Sequence, residues 1–274
     1  MDAAPASRKS ALSDRPSVAD LLRAQGRVLY ALMLRDVRGR FLGSALGMIV
    51  MILWPLSHVL ILILINSSLG RAVPFGESSA LYVATGVVPF MAFSYVSRFT
   101  ALGMLTNRSL LALPIVKVTD ILFARILMEI LSALVVIFTL AAVFLAFQVD
   151  FYPLDLIQAF CAVLAALFLG VGLGIFNGVM TGVLPAWFTV YSLMTIPLWI
   201  SSGVLFVPDA LPDYAIYWLS YNPALQCVEW LRSAYYEGYG SRILDKGYTL
   251  KFALGSIFVG LLLERLLRGR IRRM

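Results

Sequence analysis

Long uncharged apolar stretches alternate with short polar or basic segments along most of this chain. Residues 41–65 include no formally charged side chain, and about 20 such residues cross the hydrocarbon core of a bilayer. Four later stretches have a similar length, and a shorter one lies near the C-terminus. The pattern predicts an all-α integral membrane protein with six transmembrane helices, at about 41–65, 80–104, 121–147, 156–182, 187–207 and 250–263.

The segment before the first span has a different pattern. In residues 18–40 apolar side chains recur near helical spacing with arginines between them, which is typical of an amphipathic helix at a membrane interface. Such a helix serves either as a surface anchor or as a lever that contacts a cytoplasmic partner. Residues 1–17 are polar and predict a disordered cytoplasmic tail, residues 41–265 form the predicted transmembrane domain, and residues 266–274 are a predicted basic cytoplasmic tail.

The connection between the fifth and sixth spans holds one further apolar segment. Residues 221–239 are too short and too polar to cross a membrane, yet too apolar to be simply solvated. Backbone that enters a membrane without crossing it is tolerated where it packs on protein or lines a cavity. We therefore predict re-entrant helices on the periplasmic side between spans 5 and 6.

The basic residues indicate the orientation of the spans. With both termini in the cytoplasm, only Arg71, Arg232, Arg242, Lys246 and Lys251 of the 22 Lys and Arg residues fall on the outer side. Cytoplasmic loops carry the excess of Lys and Arg in membrane proteins. The net charge of +7 is thus explained by topology and anionic lipid, and we expect no nucleic-acid partner.

Two features inside the spans predict contacts. Arg125 and Glu129 stand four residues apart, so they can pair on one helix face, with either a structural or a coupling role. The fourth span repeats glycine at every fourth position, which removes the side chains from one face and marks tight helix packing. These glycines are Gly170, Gly174, Gly178 and Gly182.

The sequence offers little catalytic chemistry. It contains no GxxxxGK[ST] phosphate loop, so the chain is not expected to hydrolyse ATP by a Walker-type mechanism. Cys161 and Cys227 stand apart from any metal-ligand spacing, and the single histidine, His58, is expected to be structural. With 61% hydrophobic and 14% charged residues, a soluble enzyme is excluded. A membrane-embedded transferase remains an alternative.

Several short motifs in a fixed order carry a resemblance to a known family. The pattern RD-x-x-x-RF-x-x-S-x-LG occupies residues 35–47 and is followed by Trp54 and Pro55. A basic loop separates spans 2 and 3, and NP-x-x-x-x-x-E-x-x-R occupies residues 222–232. The chain resembles the permease subunits of capsular polysaccharide ABC exporters, the KpsM-like proteins, with Wzm-type O-antigen permeases as close relatives.

The resemblance implies a multi-pass protein of the bacterial inner membrane that is not itself an enzyme. It implies a homodimer joined to two copies of a cytoplasmic ABC ATPase, which would bind the ATP and magnesium, so that this chain holds no cofactor or metal. The substrate would be a lipid-linked acidic polysaccharide, passed on to a periplasmic copolymerase and an outer-membrane channel. The N-terminal helix and the loop at residues 106–120 would contact the ATPase through Arg35, Arg38, Arg108 and Lys117.

Aromatic faces bind sugars by stacking, and acidic sugars need cations. Under the exporter hypothesis the predicted channel residues are Trp54, Phe90, Tyr95, Tyr191, Trp199, Phe206, Arg71, Arg98 and Arg232. The alternative interpretation of the aromatic residues is that they anchor helices at the membrane interfaces. Competing functions are a drug, lipid or O-antigen exporter of the same fold, or the membrane-embedded transferase.

Overall fold

Helices dominate the computed structural model, which describes residues 17–40, 45–68 and 74–273. Within these ranges there are nine α-helices, two short 3₁₀ helices and no β-strand, so the all-α prediction is confirmed. The α-helices are α1 (Val18–Arg40), α2 (Ala45–Ser68), α3 (Ser79–Thr106), α4 (Val118–Ala146), α5 (Leu156–Val183), α6 (Trp187–Ile200), α7 (Asp213–Leu219), α8 (Pro223–Tyr235) and α9 (Lys246–Arg273).

Three of these helices, α3, α4 and α5, are long and apolar enough to cross a membrane. Each of their ends lies within three residues of the ends predicted for spans 2, 3 and 4. Shorter apolar helical segments occur at Leu53–Asn66 within α2 and along α6. The chain is therefore a helical membrane protein with several apolar crossings.

Helix α5 lies at the centre of the bundle between α3 and α9. A Cβ atom at Gly170 would approach the Phe93 carbonyl oxygen of α3 to 2.8 Å, and one at Gly172 would approach the Ala253 carbonyl oxygen of α9 to 2.6 Å. Both faces of α5 consequently need glycine for their backbones to come so close. The four glycines of the predicted ladder are all buried, which confirms the packing interpretation.

The predicted end of span 5 at residue 207 is wrong, because α6 ends at Ile200. The chain then turns, with Gly203 at a φ of +73° that L side chains rarely adopt. A short 3₁₀ helix, Pro208–Ala210, leads into α7. Unwinding at this point leaves backbone carbonyl groups without intrahelical donors.

A helix is present where residues 221–239 were predicted to fold back. Asn222 caps the N-terminus of α8 by accepting from the backbone N–H groups of Ala224 and Leu225, with Pro223 in the first turn. Nearly every residue of α8 is buried, mainly against α3 and α5. The α5 N-terminus is joined to it where the Asp155 N–H donates to the Ala234 carbonyl at 3.0 Å.

Helix α9 continues to Arg273, through residues 266–273 of the predicted tail. Near its end Ile271 is buried in an apolar cluster with Val116 and Val118. The neighbouring Arg272 donates from Nη2 to the Val116 carbonyl at 3.2 Å. The last turns of the helix are therefore packed against the connection between α3 and α4.

Candidate coupling and transport sites

Helix α1, the connection between α3 and α4, and the end of α9 meet at one end of the bundle, here called the basic end. Asp120 lies at the centre of this junction. Its carboxylate accepts the Lys117 N–H at 3.0 Å, which caps the start of α4, and it also accepts from the Gln25 amide of α1. One buried carboxylate thus fixes the start of a span and holds α1 against it.

A second junction joins α1 to α4 through buried charges. Arg125 lies 3.0 Å from Glu129 (Nε to Oε1) and 3.1 Å from Asp36 (Nη1 to Oδ2), and all three side chains are nearly buried. The predicted Arg125–Glu129 pair is confirmed, whereas the third member, Asp36, was not predicted. Directly before Asp36 in the sequence, Arg35 donates from its guanidinium to the Asn107 side chain at the end of α3.

The four predicted coupling residues lie at this basic end. Arg35 is tied to Asn107, and Arg108 follows directly as the half-buried first residue of a 3₁₀ helix, Arg108–Ala112. Arg38 and Lys117 are exposed. Leu113 is 49% exposed and Ile115 67% exposed, so apolar surface accompanies the basic side chains.

A groove lined by aromatic, aliphatic and a few polar side chains lies between α2, α3 and α6, and we call it the α6 groove. Its volume is about 260 Å³, and it unites four of the predicted channel residues, Phe90, Tyr95, Arg98 and Trp199. His58 also lines it. The ring centroids of His58 and Trp199 lie 6.5 Å apart, and the two rings meet edge to face. The remaining lining residues are Met91, Ser94, Ser192, Thr195 and Ile196.

On the neighbouring face of α3 lies a second space, the α4 cavity, between α2, α3 and α4. Its volume is about 240 Å³, and Trp54 and Tyr95 of the predicted channel set line it. Most of the other lining side chains are apolar; they are Pro55, Val59, Val88, Met91, Ala92, Phe99, Glu129, Ser132, Ala133, Val136 and Ile137. Met91 and Tyr95 therefore border both spaces.

Tyr191 was predicted to line the channel, but it is buried beneath the α6 groove. Its hydroxyl lies 2.6 Å from Ser97 Oγ of α3. Asn177 of α5 lies 3.5 Å from the same Ser97 oxygen and accepts the Trp187 indole N–H at 2.9 Å. This polar layer ties α3, α5 and α6 together, since unsatisfied polar groups are costly in lipid.

Arg232 was predicted as a substrate-binding cation, and its placement corrects this interpretation. Its side chain has no exposed surface. Nη1 donates to the carbonyls of Gly203 at 2.7 Å and Phe206 at 3.2 Å, and Nη2 donates to that of Val204 at 3.0 Å. The guanidinium also lies 4.2 Å from the Tyr82 ring centroid. Arg232 therefore satisfies three backbone carbonyls of the turn that follows α6.

The remaining predicted residues are accounted for as follows. Phe206 is half-buried and contributes its carbonyl to Arg232. Arg71 lies outside the described residues. Across the described ranges, no group of three or more His, Cys, Asp and Glu side chains could hold a metal ion.

Glu229 lies one turn before Arg232 in α8, with 3.9 Å between its Oε1 and Nη1 of the arginine. Tyr239 and Ser241 each donate a hydroxyl to this carboxylate at 2.7 Å. Burial raises the pKa of Glu229, and the two hydroxyls and the Arg232 charge act in the opposite direction. The Arg232–Glu229 cluster joins α6, α8 and the segment before α9.

A comparison with protein families places the chain. The family model for the ABC-2 type transporter matches residues 27–236, about three quarters of the sequence. The chain belongs to the ABC-2 transporter family. The matched part starts inside α1 and ends just after α8, so it includes the α6 groove, the α4 cavity and the Arg232–Glu229 cluster.

Individual relatives within the ABC-2 family have informative names. The chain is 29% identical over 236 residues to the polysialic acid transport protein KpsM of Escherichia coli, covering 86% of this chain and 91% of that protein. It is 24% identical over 252 residues to the capsule polysaccharide export inner-membrane protein CtrC of Neisseria meningitidis, covering 90% of this chain and 93% of that protein. The predicted resemblance and the inner-membrane location of this ABC-2 protein are confirmed.

Proposed function

We propose that the chain is the permease subunit of an ABC exporter that moves a lipid-linked acidic polysaccharide from the cytoplasm to the periplasm. The observation that carries this proposal is the similarity to KpsM and CtrC over nearly the whole length of both chains. Each of these proteins is named for transport of a capsule polysaccharide or of polysialic acid. Polysialic acid is itself an acidic polymer.

The proposal includes a topology of six spans with both termini in the cytoplasm. In this arrangement α2, α3, α4, α5, α6 and α9 cross the membrane, and α1 lies along the cytoplasmic interface. Helices α7 and α8 fold back on the periplasmic side. The connections supply their own partners at membrane depth, as Arg232 does for the end of α6.

Energy would come from a separate ATPase bound at the basic end. Lys117 and the apolar side chains of Leu113 and Ile115 are exposed there, and Arg108 lies in the same connection. A force on this connection reaches α1 through Asp120 and α9 through the Val116 carbonyl. We propose two copies of the chain and two ATPase subunits, which bind ATP and magnesium. A periplasmic copolymerase and an outer-membrane channel would complete the path.

Co-purification tests the proposed energy source. The tagged chain is isolated from its native membrane in mild detergent, and the eluate is assayed for a bound ATPase subunit and ATP hydrolysis. We expect about one ATPase subunit per chain. Reversing charge by Arg108→Glu with Lys117→Glu should release it, because a basic surface favours a complementary acidic partner. Arg242→Glu, at the opposite end of the bundle, is the matched control and should retain the ATPase.

The result discriminates between the competing functions. A chain that elutes without an ATPase and converts a lipid-linked sugar by itself would support the membrane-embedded transferase and refute the exporter. An ATPase that co-elutes and is stimulated by small lipophilic compounds but not by lipid-linked polysaccharide would support a drug exporter. If the charge-reversed chain retains the ATPase, the basic end is not the docking site.

A further inference from the structure

The α4 cavity is lined mainly by apolar side chains. Its few polar side chains already have partners, because Glu129 pairs with Arg125 at 3.0 Å and Ser132 donates to the Met128 carbonyl at 2.8 Å. An apolar cavity of about 150 Å³ stays dry and binds a benzene-sized molecule. At about 240 Å³, the α4 cavity is larger and has room for a longer apolar group.

The shape of the cavity points to a chain rather than a compact ligand. On α4 its lining extends from Glu129 to Ile137, which at about 1.5 Å per residue corresponds to a length of roughly 12 Å along the helix. On α3 the lining extends from Val88 to Phe99. Both helices are apolar enough to cross the membrane, so the long dimension of the cavity follows the direction of acyl chains in a bilayer.

The α6 groove borders this cavity and has different chemistry. The two spaces share Met91 and Tyr95 on adjacent faces of α3. Where the α4 cavity is apolar, the groove presents the exposed cation Arg98 and the hydroxyl side chains of Ser94 and Thr195. An apolar cavity beside a groove that contains a cation and hydroxyl groups matches an amphiphile with an apolar tail and an anionic head.

We propose that the α4 cavity holds the hydrocarbon anchor of the lipid-linked glycan, with Arg98 and the α6 groove taking the anionic junction between the anchor and the first sugars. This assignment rests on the proposed function and adds the site for the lipid end of the substrate. The occupant is the anchor rather than bulk phospholipid, because the groove beside the cavity supplies aromatic faces, Phe90 and Trp199, that a phospholipid head does not use.

Filling the cavity tests the assignment. Ala133 lines the cavity on α4, whereas Ala142 is exposed on the same helix. Ala133→Phe and Ala142→Phe are purified from cells that make the glycolipid, and the bound glycolipid and phospholipid per chain are measured by mass spectrometry after extraction. We expect Ala133→Phe to lose most of the glycolipid and Ala142→Phe to keep the wild-type amount. Arg98→Gln should also lose glycolipid while its phospholipid content stays unchanged.

A thermal melt of each variant controls for misfolding, and Ala133→Leu replaces Ala133→Phe if the larger side chain lowers the melting temperature.

Equal amounts of bound glycolipid in the cavity variant and its control would overturn the proposal. Loss of phospholipid alone from Ala133→Phe would assign the cavity to bulk lipid, which also overturns it. If the wild-type chain carries no glycolipid but still binds its ATPase, the anchor site fails while the exporter remains. If the wild-type chain binds neither glycolipid nor an ATPase, the proposed exporter function is itself refuted.

Discussion

Replacing Arg232 by methionine should destabilise the fold, because the side chain serves the backbone. The substitution removes the donors to the carbonyls of Gly203, Val204 and Phe206 and leaves the buried Glu229 without its cation. A buried polar group without a partner costs about 1–3 kcal/mol, and breaking a buried ion pair costs about 3–5 kcal/mol. These effects overlap because the carbonyls can partly rearrange, so we expect a net loss of about 3–5 kcal/mol.

The assay is a thermal melt of the purified chain in detergent, followed by the loss of the monodisperse peak in size-exclusion chromatography. A loss of this size corresponds to roughly 10 °C for a protein of this length. Arg242→Met is the matched control, because Arg242 pairs with Asp213 in an exposed ion pair, with 60% and 86% of the two side chains accessible. Exposed ion pairs contribute little to stability, so the control should melt close to the wild type.

A second variant examines the charge separately. In Arg232→Met with Glu229→Gln, the uncompensated carboxylate is gone, so part of the lost stability should return. The reasoning is refuted if Arg232→Met melts like the wild type and loses only transport, because that result would return Arg232 to the substrate path. It is also refuted if Arg232→Met and Arg242→Met melt equally early.

Three further predictions use the same melt or a simple binding assay. Gly172→Ala should lower the melting temperature by several degrees, because its Cβ would meet the Ala253 carbonyl, whereas Gly255→Ala meets nothing within 4 Å and should be neutral. Burial raises the pKa of Glu229 above its ordinary 4.5, so the wild type should lose stability relative to Glu229→Gln as the pH rises above that value; an unchanged difference from pH 4 to pH 8 would contradict this. Asp36→Ala should loosen α1 from α4 by removing one of its contacts with that helix, measured as faster tryptic cleavage within α1 than in the wild type; equal cleavage rates would contradict this.

The apolar spans were predictable because their signal is local. A run of about 20 predominantly apolar residues is long enough to cross a bilayer as a helix, and the ends of α3, α4 and α5 could be predicted from such runs. The end of α6 did not follow, because residues 201–207 are also uncharged. What ends the helix there is a tertiary arrangement, with Gly203 in the left-handed region and Arg232 donating to the carbonyls of the turn that follows.

The candidate sites were predictable only in part. Residue type and position within a span selected Phe90, Tyr95, Arg98 and Trp199, and the structure brings them into one groove. Partners distant in sequence were missed, since the contact between Arg125 and Asp36 bridges two helices whose register no motif gives. Asn177 carried a usable signal, because an amide inside an apolar span needs a partner.

Several polar residues of this chain serve the backbone, and for Arg232 this role replaces the substrate contact that was predicted from the sequence. Asp120 caps the start of α4, Asn222 caps the start of α8, and Arg232 satisfies the end of α6. Each lies where a helix begins or ends, because a helix end leaves groups that hydrocarbon cannot satisfy. For a cation close to a helix end in a membrane protein, a bond to backbone carbonyls must therefore be excluded before a substrate role is assigned. Arg98 lies within α3, away from its ends, and has an exposed side chain, so among the described channel candidates it is the cation that we propose for the acidic substrate.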